Sequence, residues 1–186
     1  MNSEAQKNSH ITNVRDLIVG AGLAGLTLAR ALKSDSFTVL EKSKAIGGRM
    51  ATRRVDDYTF DHGAQFYQAD LLKDLDIAWT DAKLSVTWQN LEGMQLKAGL
   101  GGMTSLAKML ATALPHPVLR EKLVERVERH DHGWHVTTDQ GEVFNCERVF
   151  LACPLPQSLK ILASSGLACP PELQAITYDK ALVGLF

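Results

Sequence analysis

A glycine-rich hexapeptide constrains the fold of this sequence more than any other feature. Residues 20–25, Gly-Ala-Gly-Leu-Ala-Gly, match the pattern G-x-G-x-x-G and follow a short apolar run that ends at Val19. Residues 23–33 then carry apolar side chains at helical spacing, and residues 37–40 form a second β-rich run. A strand, a glycine turn, a helix and a strand within about 30 residues predict a βαβ unit with two parallel strands.

Each glycine of this pattern has a separate physical role. Gly20 permits the tight turn, Gly22 lets the backbone approach a pyrophosphate, and Gly25 lets the helix pack closely on the strand. The helix N-terminus offers unpaired N–H groups and a partial positive charge to phosphates. Glu41, 21 positions after Gly20, can accept hydrogen bonds from ribose hydroxyls and disfavours the 2′-phosphate of NADP. The pattern indicates a dinucleotide site; the alternative is a βαβ unit that binds no nucleotide.

A second turn helps to separate FAD from NAD, which the first pattern alone does not distinguish. Gly47 and Gly48 follow Glu41, and Arg49 comes directly after them. A guanidinium close to the first turn can neutralise a diphosphate with two hydrogen bonds. NAD-binding domains usually proceed straight to another helix at this point, so the second turn favours FAD.

The rest of the chain reads as further strands and helices. Residues 123–130, 134–138 and 142–146 predict a three-stranded β-meander, and residues 148–152 predict one more strand. The other expected elements are a loop over 42–54, a weak helix within 70–81, a hairpin of 86–91 with 94–96, a helix over 103–114, a helical segment over 157–164 and a strand over 181–186.

Composition excludes several classes of protein. The 20 Lys and Arg nearly balance the 21 Asp and Glu, which argues against a protein that coats nucleic acid or an anionic membrane. No apolar stretch approaches the ~20 residues of a membrane-spanning helix. Residues 1–13 are polar and are expected to form a disordered leader. A cytoplasmic protein is the resulting expectation.

Several groups of residues have both a structural and a functional interpretation. Lys42, Lys44, Arg49, Arg53 and Arg54 form a basic cluster, which we interpret as a local phosphate clamp rather than a nucleic-acid patch. We interpret His130, His132 and His135 as part of an exposed hairpin rather than a metal site. We interpret Trp79 and Trp88 as packing residues rather than rings that stack on a ligand. We interpret Cys146, Cys153 and Cys169 as free buried thiols.

Two motifs carry a resemblance to a known family. Residues 47–54, Gly-Gly-Arg-Met-Ala-Thr-Arg-Arg, and residues 60–66, Phe-Asp-His-Gly-Ala-Gln-Phe, resemble the renalase-like NAD(P)/FAD-dependent oxidoreductases, relatives of the flavin amine oxidases. The likeness continues at residues 101–104 and at residues 149–156, a strand followed by a proline-rich turn. It covers about residues 15–186, in order.

The resemblance implies an α/β architecture with FAD as cofactor. The implied fold is a Rossmann-type FAD-binding fold, with a glutathione-reductase-like parallel sheet, a β-meander and a partial α+β substrate domain. The FAD-binding domain is expected at 14–66 and 101–165, and parts of the substrate domain at 67–100 and 166–186. The expected cofactor-binding residues are Gly20, Gly22, Leu23, Ala24, Gly25, Glu41, Lys42, Gly48, Arg49, Met50, Gly63, Ala64, Gln65, Phe66 and Val124.

The implied reaction is oxidation of a small-molecule donor. The flavin removes a hydride from a dihydronicotinamide or an amine and is reoxidised by oxygen. Family members run beyond this length, so the sequence predicts a C-terminally truncated chain, and no catalytic residue is assigned. A truncated, non-catalytic dinucleotide-binding fragment is the alternative. No metal site is expected.

Overall fold

The computed structural model describes residues 11–32 and 35–184, which form eleven strands and five helices. In chain order the strands are β1 (Ile11–Val19), β2 (Phe37–Glu41), β3 (Thr52–Val55), β4 (Tyr58–Asp61), β5 (Tyr67–Gln68), β6 (Ser85–Leu91), β7 (Met94–Gly99), β8 (Leu119–Arg120), β9 (Val124–His130), β10 (Gly133–Thr138) and β11 (Val143–Leu151). The helices are α1 (Leu23–Ala31), α2 (Lys73–Asp81), α3 (Thr104–Thr112), α4 (Leu155–Ser164) and α5 (Pro171–Gln174).

A six-stranded sheet forms the centre of the molecule, in the order β8-β2-β1-β11-β10-β9. The first four of these strands are parallel, and β11, β10 and β9 form the antiparallel meander. The prediction of an α/β fold with a parallel sheet and a meander is confirmed.

Apolar side chains cover both faces of this sheet, because successive residues of a strand point to opposite sides. Ile18 lies in the cluster that includes Leu26 of α1 and Leu106 of α3. Its neighbour Leu17 lies in the other cluster, which includes Val136 of β10 and Ile161 of α4. The alternation fixes the register of β1, because a slip by one residue would exchange the two faces.

The chain between the two parts of the main sheet forms its own small sheet, in the order β5-β7-β6. Trp79 of α2 is fully buried in the same cluster as Leu26 and Leu106, and its indole N–H donates to the Leu106 carbonyl at 3.2 Å. Helix α2, which lies between β5 and β6 in the chain, is therefore joined to α3 by packing and by a hydrogen bond.

One strand is longer than the sequence suggests. Residues 142–146 and 148–152 were expected to form two strands, but they form the single strand β11. The charged residues Glu147 and Arg148 mask this continuity in the sequence. Arg148 stays in the sheet because its guanidinium forms two hydrogen bonds with Asp16 on β1, at 2.6 and 2.9 Å.

Three expectations at loops and ends are wrong. Residues 181–184 form no strand, and residues 185–186 lie outside the described residues. Residues 11–13, which were expected to belong to a disordered leader over 1–13, instead form the start of β1, and residues 1–10 lie outside the described residues. The loop expected over 42–54 contains β3, which pairs with β4.

No helix in the described ranges has the length and apolar character that crossing a membrane requires.

Candidate functional site

A cleft of about 1300 Å³ opens at the carboxyl ends of the parallel strands. This main cleft is larger than typical small-molecule pockets, which have volumes of roughly 300–1,000 Å³. It gathers eleven of the fifteen residues expected to bind the cofactor: Gly20, Gly22, Leu23, Ala24, Glu41, Lys42, Gly48, Arg49, Met50, Ala64 and Val124. Gly25, Gly63, Gln65 and Phe66 are absent from its lining.

The glycine turn brings two backbone segments against each other. Gly20 has a φ of +108°, which favours glycine, and its N–H donates to the Leu40 carbonyl at 2.8 Å. A Cβ on Gly25 would overlap the Gly20 carbonyl oxygen, so α1 packs this closely only with glycine at that position. No side chain of the described residues caps α1 at Gly22. The N–H groups of its first turn therefore suit an anion in the cleft.

Glu41 is held in place before any ligand arrives. Its side chain is almost buried, and its two oxygens accept the backbone N–H groups of Ala21 at 2.8 Å and Ser43 at 2.9 Å. A carboxylate has about four lone-pair sites. Both oxygens therefore keep capacity for the hydroxyls of a ribose.

Arg49 presents an unpaired cation to the main cleft. It follows Gly48 in a short 3-10 turn, and its side chain is exposed. Within the described part of the chain, the guanidinium forms no hydrogen bond or ion pair. An arginine in this state can form bidentate hydrogen bonds with a diphosphate.

The expected phosphate clamp is smaller than the basic cluster in the sequence. Arg49 and Lys42 line the main cleft, but Lys44, Arg53 and Arg54 do not. Arg54 donates instead to the Gly101 carbonyl at 3.2 Å. The hairpin of β3 and β4 carries Arg53 and Arg54 away from the cleft.

The loop over residues 62–66 is fixed to Arg49 by its backbone. The Ala64 N–H donates to the Arg49 carbonyl at 2.8 Å, and a Cβ on Gly63 would overlap that same oxygen. Ala64 reaches the cleft, whereas Gln65 and Phe66 are exposed outside its lining. The glycine at position 63 is therefore required for the contact between the loop and the arginine turn.

Asp61 joins this region to α3. Its Oδ1 accepts the Thr52 hydroxyl at 2.5 Å and the Met103 N–H at 2.9 Å. Thr52 and Thr104 exchange two further bonds: the Thr52 N–H donates to the Thr104 hydroxyl at 2.7 Å, and the Thr104 N–H donates to the Thr52 hydroxyl at 2.9 Å. The motif residues Asp61 and Gly63 thus act on structure, and they orient the loop beside the cleft.

Sequence reasoning missed the wall that α4 contributes. Gln157, Lys160, Ile161 and Ser164 line the cleft at helical spacing, and Cys153 lies just before the helix. The Ser164 hydroxyl donates to the Glu125 carbonyl at 2.6 Å, which ties α4 to β9 beside Val124. The amphipathic spacing of 157–164 was the available signal, but nothing local shows which strand the helix faces.

The remaining candidates lie outside the main cleft, apart from Cys153. His130 and His135 stack at 3.7 Å between ring centroids on the β9–β10 hairpin, and no metal-binding cluster of three such ligands occurs in the ranges that the structure describes. All three cysteines are free, but only Cys146 is buried, so the expectation of three buried thiols is wrong for Cys153 and Cys169.

The residues of the main cleft fit a dinucleotide with a diphosphate. A Cβ on Gly48 would lie 3.3 Å from the Cα of Gly22, so the two turns approach each other closely at this point. The cleft combines this close backbone approach with a free guanidinium and a preorganised carboxylate. These are the groups that a diphosphate and a ribose require.

Comparison with known proteins agrees with the geometry. Residues 18–75 match the NAD(P)-binding Rossmann-like domain, and residues 67–178 match the family described as flavin containing amine oxidoreductase. Mouse renalase (Mus musculus) is 28% identical over 167 residues, covering 79% of this chain and 49% of renalase. The chain therefore spans about half the length of this curated relative.

Solved structures share the fold at low sequence identity. A putative protoporphyrinogen oxidase from Exiguobacterium sp. 255-15 has a TM-score of 0.71 and 19% identity over 88% of this chain and 64% of that one. A wild-type putrescine oxidase bound to putrescine has a TM-score of 0.66 and 16% identity over 81% of this chain and 60% of that one. The family matches and the renalase relative together confirm the renalase-like resemblance, and FAD is the cofactor. The second family match spans more than half of the sequence, so the chain belongs to the flavin containing amine oxidoreductase family.

Proposed function

We propose that this chain supplies the FAD-binding part of an oxidoreductase that transfers a hydride from a reduced donor to FAD. One observation carries the proposal: a single cleft joins the glycine turn, the anchored Glu41 and the free Arg49. The proposed donor is a dihydronicotinamide or an amine. The amine is supported by the family assignment and by the putrescine-bound oxidase among the structural neighbours.

The glycine turns, Glu41, Arg49 and Val124 have defined roles in this proposal. The first-turn N–H groups of α1 and the Arg49 guanidinium bind the diphosphate, and Glu41 accepts the ribose hydroxyls. Val124 begins β9 at the edge of the cleft and offers its backbone to the adenine. Gly20, Gly22 and Gly48 keep side chains out of the path of the cofactor.

The protein's contribution is position and electrostatics. When bound, the flavin supplies the redox chemistry, taking a hydride from the donor and passing the electrons to oxygen. The chain holds the charged half of the cofactor through groups that need little rearrangement. The Glu41 carboxylate is already fixed by two N–H groups, so binding costs little conformational entropy there.

The proposed domain organisation also includes the small sheet and residues 166–186. The segment 67–100, with its own three strands, forms part of a substrate domain, and residues 166–186 begin a further part of it. The main sheet, which includes the meander, forms the FAD-binding domain together with α1 and α3. Three free thiols support the proposed cytoplasmic location, where thiols stay reduced.

Reconstitution with FAD tests the proposal. Chain that has been dialysed with FAD and freed of unbound cofactor is expected to be yellow, with the absorbance bands of a bound flavin. A colourless protein with no measurable FAD affinity would contradict the proposed function.

A second candidate is a dinucleotide-binding module without redox turnover. It is favoured by one observation: the cleft residues to which we assign a role, which are Gly20, Gly22, Glu41, Gly48, Arg49 and Val124, all lie on the proposed diphosphate and adenosine side. Both candidates predict FAD binding. They differ in turnover, because only the oxidoreductase bleaches bound flavin when an amine or a dihydronicotinamide is added without oxygen.

A further inference from the structure

An exposed aromatic pair lies beyond the lining of the main cleft. The rings of Phe66 and Trp88 are stacked, with centroids 4.7 Å apart and planes 11° from parallel. Phe66 remains 42% exposed and Trp88 50% exposed. Burial of a large aromatic ring away from water is favourable. A stacked pair of rings that stays about half exposed is therefore a candidate binding surface.

A β-bulge presents Trp88 to Phe66. Along the β6–β7 pair, Thr87 lies opposite Lys97 and Gln89 lies opposite Leu96, so Trp88 has no cross-strand partner. Bulges of this kind redirect a side chain, and they are common beside functional sites. Trp79, by contrast, is a fully buried core residue whose indole N–H is bonded to Leu106.

The aromatic pair is connected to the cleft through the Arg49 turn. Phe66 follows Ala64 by two residues, and Ala64 both lines the cleft and bonds to the Arg49 carbonyl. Glu41 and Val124 hold the adenosine side in the proposed function. A dinucleotide that crosses the glycine turn therefore continues past Arg49, towards the loop that carries Phe66.

We propose that Trp88 is a positioning residue that holds the Phe66 ring as a wall for a flat, conjugated nitrogen heterocycle. The heterocycle is either the ring system of the flavin or the dihydronicotinamide of a donor. This inference rests on the proposed function, because it takes the direction of the cofactor from it. Trp88 supports one face of Phe66 and leaves the other face to the ligand ring.

Binding measurements on the full chain test this role. FAD and ADP are titrated separately into the wild type, Trp88→Ala and Trp88→Phe, with Leu91→Ala as a control on the same strand. ADP occupies the diphosphate side but has no heterocycle beyond it. If the wall faces the flavin, Trp88→Ala weakens FAD binding about three- to tenfold and changes ADP binding less than about twofold. Trp88→Phe, which keeps an aromatic ring, restores most of the affinity.

A second arm identifies the source of the ring. If the wall faces a donor instead, FAD affinity is retained, and binding of NADH to the FAD-loaded Trp88→Ala chain weakens by a similar factor. Thermal unfolding checks that each variant folds, and Trp88→Leu replaces the alanine variant if that variant does not.

Three results would overturn the inference. They are unchanged binding of both FAD and NADH, an equal loss of ADP and FAD affinity, and a failure of Trp88→Phe to restore binding. Failure of the wild-type chain to bind FAD would overturn the proposed function itself. Normal FAD binding by Trp88→Ala is a different result, because it leaves the proposed function intact and moves the test to the NADH measurement.

Discussion

Two charged residues prepare the main cleft in different ways. Glu41 is anchored by the N–H groups of Ala21 and Ser43, so it acts on the shape of the glycine turn as well as on the ligand. Among the residues that the structure describes, Arg49 forms hydrogen bonds only through its backbone, so its guanidinium can move onto a diphosphate. Removal of Arg49 should therefore affect binding more than folding.

The Arg49→Ala variant tests this separation. We expect it to weaken FAD binding by about 1.5–3 kcal/mol, the range for loss of a charge-assisted hydrogen bond, and to leave the melting temperature nearly unchanged. Calorimetric titration gives the affinity. Arg53→Ala removes an exposed arginine that lies outside the main cleft and serves as the control. Equal FAD affinity in wild type and Arg49→Ala would remove Arg49 from the diphosphate site.

The three thiols provide a second test at the scale of single residues. Burial, with a smaller effect from the Asp16 charge, raises the pKa of Cys146 to about 11, so this thiol stays protonated and unreactive at neutral pH. Cys153 is half-buried in the lining of the cleft. We expect maleimide to modify Cys153 and Cys169 but not Cys146 in the folded chain.

FAD should protect Cys153 selectively. At a tenfold excess of FAD over its Kd, modification of Cys153 should slow by roughly tenfold, because only the unliganded fraction reacts. Peptide mapping by mass spectrometry separates the sites, and Cys169 is the internal control. Unchanged labelling of Cys153 at saturating FAD would place the cofactor elsewhere.

At the scale of elements, the hairpin of β3 and β4 serves mainly to cap and orient α3. Asp61 accepts the Met103 N–H at the start of α3, and it also accepts the Thr52 hydroxyl. Asp61→Ala should lower the free energy of unfolding by about 1–3 kcal/mol, because two donors lose their partner. Urea denaturation measures this, with Asp57→Ala in the exposed turn of the same hairpin as control. A loss no larger than that of the control would refute the capping role.

The small sheet is joined to α2 by a polar network with a defined pH dependence. Lys97 lies 2.8 Å from Asp76, and the Tyr67 hydroxyl donates to the same carboxylate at 2.7 Å. Burial favours a higher pKa for Asp76, but the hydrogen bonds from Lys97 and Tyr67 outweigh it and lower the pKa below its usual value.

A carboxyl group whose pKa is lower in the folded chain than in the unfolded chain stabilises the fold at pH values above its unfolded pKa, which is about 3.9 for aspartate. The stabilisation is lost as the pH falls from there through the folded pKa. The melting temperature of the wild type should therefore fall more steeply below about pH 4 than that of Asp76→Asn. Asp74→Asn, on an exposed part of α2, is the control, and identical pH profiles for wild type and Asp76→Asn would contradict the assignment.

Strand boundaries show where sequence reasoning succeeds and fails. The turns of the meander were predictable, since Asp131 and Gly141 adopt the positive φ that Asp and Gly tolerate best. The continuity of β11 was not, because the partner that retains Arg148 in the sheet is Asp16, 132 residues away. β8 is only two residues long, and only its parallel pairing with β2 defines it.

At the scale of the whole molecule, the sequence predicted the wall of the main cleft that the glycine turn and Glu41 form, but it did not predict the wall that α4 forms. Gly20, Gly22 and Glu41 follow a spacing that backbone geometry requires, so the residues themselves indicate the contact with a dinucleotide. Gln157 and Lys160 reach the cleft only because α4 docks on β9. The bulge at Trp88 likewise depends on the register of β6 against β7.

The central claim is that the backbone N–H groups after β1, together with Arg49, bind the diphosphate of FAD. A crystal structure of the chain grown with excess FAD tests it most directly. We predict that the diphosphate lies against the first turn of α1 at Gly22 and within hydrogen-bond distance of the Arg49 guanidinium, with a ribose on Glu41. Density for FAD outside the main cleft, or a cleft filled by the chain's own side chains, would contradict the account.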